Sequence, residues 1–207
     1  MTSRLHGIQA DCGRSYREIE GIAQSIRRHL GVGPSACFDA HGFFEFKLDE
    51  FILDADGREI PMVHGVSEMK SEALTRWDVD ASRLEILLSE DWYQQLCDGH
   101  PRARYSVAHE FGHTVLHTNQ LIRLAELNVA SQVAMHRGGS DHPPYMDTEW
   151  QANAFASALL MPACGIRDLE EQFGLPATPR LLAATFGVSS EAASYRLEVY
   201  SNGKTGL

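Results

Sequence analysis

The chain lacks any apolar run approaching the roughly 18 residues that cross a bilayer, so no membrane-spanning helix is expected. Its first 13 residues are polar and mixed, without the apolar centre of a secretory signal, and a cytoplasmic location is the expectation. Cysteine is scarce. Cys12, Cys37, Cys97 and Cys164 stand apart with no C-x-x-C pair, which argues against a thiolate zinc site and a disulfide framework and for reduced thiols. Cations are short as well: 18 Lys and Arg against 28 Asp and Glu give a formal net charge of −10. Such a chain repels phosphate backbones, so direct nucleic-acid binding is not expected. The small basic clusters are Arg27-Arg28, read as a solvated helix face, and Arg102 with Arg104, which either bind a carboxylate or brace the fold.

What is present fits a soluble globular chain. The 207 residues, 43% apolar and 22% charged, suffice for one core, or for one core with a small module. Residues 15–30 carry Ile19, Ile22, Ala23, Ile26 and Leu30 on one stripe, which predicts a helix stopped by Gly31, Gly33 and Pro34. Residues 43–53 read as one strand or two short ones, closed by a turn at 54–57, and residues 83–88 as another strand. Residues 90–101 read as a loop with one helical turn. A helix is expected over 106–118 with Ser106 as its N-cap, continuing to about 127, then a loop over 130–144 and a helix over 148–160. Residues 180–200 read as two short helices around Gly187. Helices around a small sheet make the class α+β.

Chemistry centres on His109-Glu110-Phe111-Gly112-His113. Residues i and i+4 share a helix face, so two imidazoles at this spacing can hold one Zn²⁺. The adjoining Glu110 is placed to act as general base and then to pass its proton to the leaving amine. A third ligand is needed if water is to take the fourth position. His117 would sit about 12 Å along the axis from His109, too far to converge on the same ion. The metzincin pattern asks for glycine and histidine where Leu116 and Asn119 stand, so that class is excluded. Glu149 is the preferred third ligand: it opens a helix face continued by Ala152, Asn153, Ala156 and Leu160, whose alanines permit close approach. Asp147 is the competitor, but it precedes the helical pattern. Tyr145, His142 and His136 are weaker candidates for a second oxyanion donor.

Two blocks carry a resemblance. R-A-R-Y-S-V-A-H-E-F-G-H-T-V-L-H (102–117) and E-W-Q-A-N-A-F-A-S-A-L-L-M-P (149–162) closely resemble the ImmA/IrrE metallopeptidase family. The N-terminal helix and L-A-A-T-F-G-V-S-S-E-A-A-S-Y-R-L-E (182–198) are similar to the family's layout, and the span 121–144 is longer than usual. The resemblance implies a minimal zincin with a small, mostly antiparallel sheet, metal ligands His109, His113 and Glu149, and catalytic Glu110. On that layout residues 1–165 form the peptidase domain and 166–207 a helix-turn-helix-like extension. It further implies one Zn²⁺ per chain, with another divalent metal such as Mn²⁺ as the variant, and a helix-turn-helix transcriptional repressor as protein substrate in a stress response. The alternative is an anti-repressor that sequesters the repressor without cutting it, with zinc structural or sensory. The strand at 83–88 is the candidate for pairing with an added substrate strand. The stretch 189–200 offers a single cation, Arg196, so the C-terminal helices are expected to pack on protein rather than on DNA.

Overall fold

The computed structural model describes residues 8–55, 57–127 and 142–206. Asp56 in the expected turn, His136, and residues 130–141 of the expected loop lie outside them. The architecture is α+β. Helix α1 (Tyr16–His29) opens with a capping box, in which the Ser15 side chain accepts from the Glu18 backbone while Glu18 reaches back to Ser15. Next come α2 (Ala40–Phe46), a 3₁₀ turn (Leu48–Glu50), β1 (Ile52–Ala55), β2 (Arg58–Ser67), β3 (Ala73–Asp78) and β4 (Arg83–Ser89). The rest is helical: α3 (Glu90–Cys97), α4 (Pro101–Glu126), α5 (Thr148–Leu160), α6 (Ala163–Phe173), α7 (Pro179–Phe186) and α8 (Ser190–Ser201). No helix among the described residues is long and apolar enough to cross a membrane.

The strand order is β1-β2-β4-β3, with β1–β2 and β3–β4 antiparallel and β2–β4 parallel. Helix α4 packs on the sheet, α5 packs on α4, and α1 packs on α5. Phe111 of α4 meets Phe43, Phe51 and Phe155, so one ring ties α2, the strand entry and α5 into one core. Leu182, Phe186 and Ala193 of the last two helices belong to that same core.

Several expectations need correction. Residues 43–46 are helical: Asp39 caps the Gly42 amide, and Ala40, Phe43 and Phe44 are buried at helical spacing. Helix α4 starts at Pro101, which fits a first helical position because proline has no amide hydrogen to leave unpaired, so Ser106 lies inside the helix. Residues 90–97 form a full helix capped by Ser89. Strand β4 is flanked by β2 and β3 and has no open edge; the sheet edge on that side is β3. The basic clusters also change meaning. Arg27 is buried and donates to the carbonyls of Leu159, Gly33 and Ala36, while Arg28 stays exposed. Arg104 donates to the Phe38 and Phe186 carbonyls, and Arg102 pairs with Glu72 over the Trp92 ring, so both act as braces. Arg196 is 1% exposed; its Nε donates to the Met161 carbonyl and its Nη2 pairs with Glu20 of α1. The sole cation of residues 189–200 therefore faces the interior.

Candidate metal centre

Helix α4 carries His109 and His113 one turn apart, and their Nε2 atoms lie 3.0 Å from each other. Helix α5 brings Glu149 against them: Oε1 is 3.1 Å from His113 Nε2, and Oε2 is 3.3 Å from His109 Nε2. Two features allow this approach. A Cβ on Gly112 would stand 3.2 Å from both the Cα and the carbonyl oxygen of Ala152, so the two helices close only because position 112 has no side chain. His117 Nε2 donates to the Thr148 carbonyl at 3.3 Å, tying α4 to the start of α5. Burial, reinforced by His113, pushes the His117 pKa down to about 3, so this ring is a neutral brace. Its backbone (φ −129°, ψ 18°) interrupts α4.

The donor set fits a divalent ion. Among the described residues, His109, His113 and Glu149 form a group whose ligand atoms all lie within 4.8 Å of one another. A tetrahedral ion with bonds of about 2.0–2.2 Å holds its ligand atoms roughly 3.3–3.6 Å apart, close to the spacing seen. The tautomer fits as well. His109 Nδ1 lies 3.2 Å from Asn153 Oδ1, so Nδ1–H donates there and the Nε2 lone pair faces the cluster. His113 is almost fully buried, and its Nδ1 has no hydrogen-bond partner among the described residues.

Glu110 points toward the sheet side. It is buried, and its Oε2 accepts from Thr75 Oγ1 at 2.7 Å; the same hydroxyl lies 3.0 Å from the Glu110 carbonyl. Thr75 sits on the edge strand β3, so one hydroxyl links the strand to the acid beside His109.

The remaining candidates separate from the cluster. Asp147 is the N-cap of α5: Oδ1 accepts from the Trp150 amide at 2.8 Å, and Oδ2 lies 2.9 Å from His142 Nε2. Both carboxylate oxygens have partners, which leaves Glu149 as the acid that faces the histidines. His142 is thereby held at the cap. Tyr145 is about half exposed, and its carbonyl accepts from Arg14 and Gln151. Sequence reasoning missed Thr75 and Asn153. Thr75 had no signal, because β3 had not been recognised. Asn153 had one: it follows Glu149 by one helical turn, on the same face.

A comparison with protein families matches residues 96–198 to Peptidase_M78, described as the IrrE N-terminal-like domain. A search of curated proteins returns no match. The matched segment contains His109, Glu110, His113 and Glu149 and runs through α7 into α8. Over these residues the chain belongs to the Peptidase_M78 family of metallopeptidases, with an IrrE N-terminal-like domain.

Proposed function

We propose that the protein is a zinc-dependent endopeptidase that hydrolyses a peptide bond in a protein substrate, a helix-turn-helix transcriptional repressor. The observation that carries this reading is the triangle of His109, His113 and Glu149 donor atoms beside Glu110. His109, His113 and Glu149 hold the ion. Zinc bound there supplies a Lewis acid for the scissile carbonyl and acidifies a water molecule. Glu110 accepts the proton from the attacking water at its carboxylate and delivers it to the leaving amine nitrogen. Thr75 fixes the carboxylate by donating to Oε2, and Asn153 fixes the His109 ring. The edge strand β3 takes the substrate-pairing role expected of residues 83–88, since its outer side has no sheet partner among the described residues. The repressor as substrate rests on the resemblance to the ImmA/IrrE family.

The test combines metal analysis with co-expression of a candidate repressor. One zinc per chain and cleavage that disappears in Glu110→Gln are expected. Cleavage that persists in Glu110→Gln overturns the mechanism. Derepression through a stable complex, with the repressor backbone intact, would replace it with sequestration.

A further inference from the structure

Five side chains from four helices gather beside the metal centre. The edge strand β3 borders the centre on one side, through Thr75 and Glu110. These five border it on the other, through His109 and Glu149. Tyr105 stands one turn before His109 on α4, and Asn153 one turn after Glu149 on α5. The Tyr105 hydroxyl donates to the Asn153 carbonyl at 3.0 Å, while Asn153 Oδ1 accepts from the His109 ring. Trp150 follows Glu149 directly. Its ring meets that of Tyr16 on α1 edge-on, with centroids 4.6 Å apart. The Tyr16 and Tyr195 hydroxyls lie 2.7 Å from each other, which brings in α8. Tyr195 also acts on Tyr105: burial first, and the Tyr195 phenol second, raise the Tyr105 pKa. The contacts thus run from the metal ligands out to α8 and back to α4.

Core packing does not account for this group. Tyr195 keeps 48% of its surface exposed although its hydroxyl is held by Tyr16, so the ring is offered to solvent in a set orientation. Asn153 is exposed too, and its side-chain NH₂ has no partner among the described residues. Fixed rings beside a free amide donor suit a peptide, whose carbonyl takes the amide hydrogens and whose side chain covers the rings. The five side chains carry no charge, and the adjoining Arg196 is turned inward to Glu20, so an apolar side chain is favoured over an ionised one. The family match counts α8 with the centre, since it covers the histidines and Tyr195 in one span, 96–198. One helical turn is about 5.4 Å, or about two residues of extended peptide.

We propose that Tyr195 of α8, with Tyr16, Trp150 and Tyr105, forms a subsite for a bulky apolar side chain of the protein substrate, within about two residues of the bond that is cut. The inference rests on the peptidase reading for its place in the reaction and on the rings for its chemistry. It makes the last helix a wall of the cleft, so the C-terminal extension takes part in substrate choice.

The test uses the full chain stripped of metal by a chelator, so that binding is read without turnover. Dye-labelled ten-residue peptides of one neutral sequence carry phenylalanine, serine or glutamate, moved one position at a time. Anisotropy should show phenylalanine binding about tenfold tighter than serine at one position, with glutamate weaker than serine there. Tyr195→Ala should bring the ratio close to one. Tyr195→Phe keeps the ring and loses the hydroxyl contact, and should retain the preference. No preference at any position, an equal gain at every position, or a preference that survives Tyr195→Ala overturns the proposal. A second measurement needs no variant: a peptide with benzoylphenylalanine at the preferred position, irradiated with the unaltered chain, should crosslink to Tyr195, Tyr16 or Trp150. Crosslinks confined to other residues overturn the proposal. Restoring zinc and mapping the cut then reads the two-residue offset, and a cut farther away removes the subsite from the reaction. Absence of hydrolysis at that stage counts against the peptidase reading and leaves the binding result standing.

Discussion

Two buried polar clusters built from similar parts behave in opposite ways. Between α1 and α8, Glu20 and Arg196 face each other, and both have backbone partners besides: Glu20 Oε1 accepts from the Ala163 amide and from the Gln24 side chain, and Arg196 Nε donates to the Met161 carbonyl. Between α4 and α5, two imidazole nitrogens and a carboxylate turn toward one another at 3.0–3.3 Å. The first cluster joins opposite charges and is closed by main-chain partners. The second brings together groups that are all acceptors when His109 and His113 present bare Nε2 atoms. A fold has little reason to assemble three acceptors unless a cation joins them. Buried polarity alone therefore does not mark a site; the sign and direction of the lone pairs do.

The strongest way to break this contrast is at Glu110. Glu110→Gln should lower the rate of peptide hydrolysis by about 10²–10⁴-fold with zinc content unchanged, read by cleavage assay and metal analysis. At the closed cluster the same kind of change should act on stability instead. Glu20→Gln leaves Arg196 buried without its counter-charge and should cost about 3–5 kcal/mol in denaturant unfolding, while zinc still binds. A large loss of zinc affinity in Glu20→Gln would erase the distinction between the clusters.

How far these clusters were legible in the sequence follows from the same contrast. His109, Glu110 and His113 share a helical turn, and local spacing suffices to read them. Glu149 is 40 residues away from His109, yet its own helix is strongly patterned, and residues 148–160 appear in the structure with the expected bounds. Thr75 could not be read, because its partner lies 35 residues on and its strand alternates weakly between buried and exposed positions. Arg27 misled for another reason. A basic pair in the last turn of a helix normally faces water, and only the carbonyls of Gly33, Ala36 and Leu159, set by the turn after α1 and by the end of α5, draw one of the two inside. The stretch 43–53 was misread because alternation and helical spacing overlap in a short apolar run. The Asp39 cap decided it.

Smaller effects sharpen the comparison. Zinc at about 100 times its dissociation constant should stabilise the chain by about 2.7 kcal/mol, or roughly 5–10 °C in melting temperature. His113→Ala and Glu149→Ala should abolish that shift in a thermal melt, whereas Glu20→Gln should keep it on a lowered baseline. Asn153→Ala frees the His109 ring and should weaken zinc affinity about 10–100-fold, measured by competition with a chelating dye. Thr75→Val removes one hydrogen bond to Glu110 and should reduce kcat by about tenfold with KM nearly constant; a raised KM with kcat unchanged would assign Thr75 to substrate binding instead.

Gly112 makes no hydrogen bond through a side chain and carries no charge, yet it sets the gauge of the centre. His109 and His113 travel with α4, Glu149 travels with α5, and the absent methyl at 112 fixes how far apart those two rails run. An alanine there would leave every donor atom in place on its own helix and still splay the triangle by a few tenths of an ångström. The ion that such a protein prefers would then be chosen by a residue that never touches it.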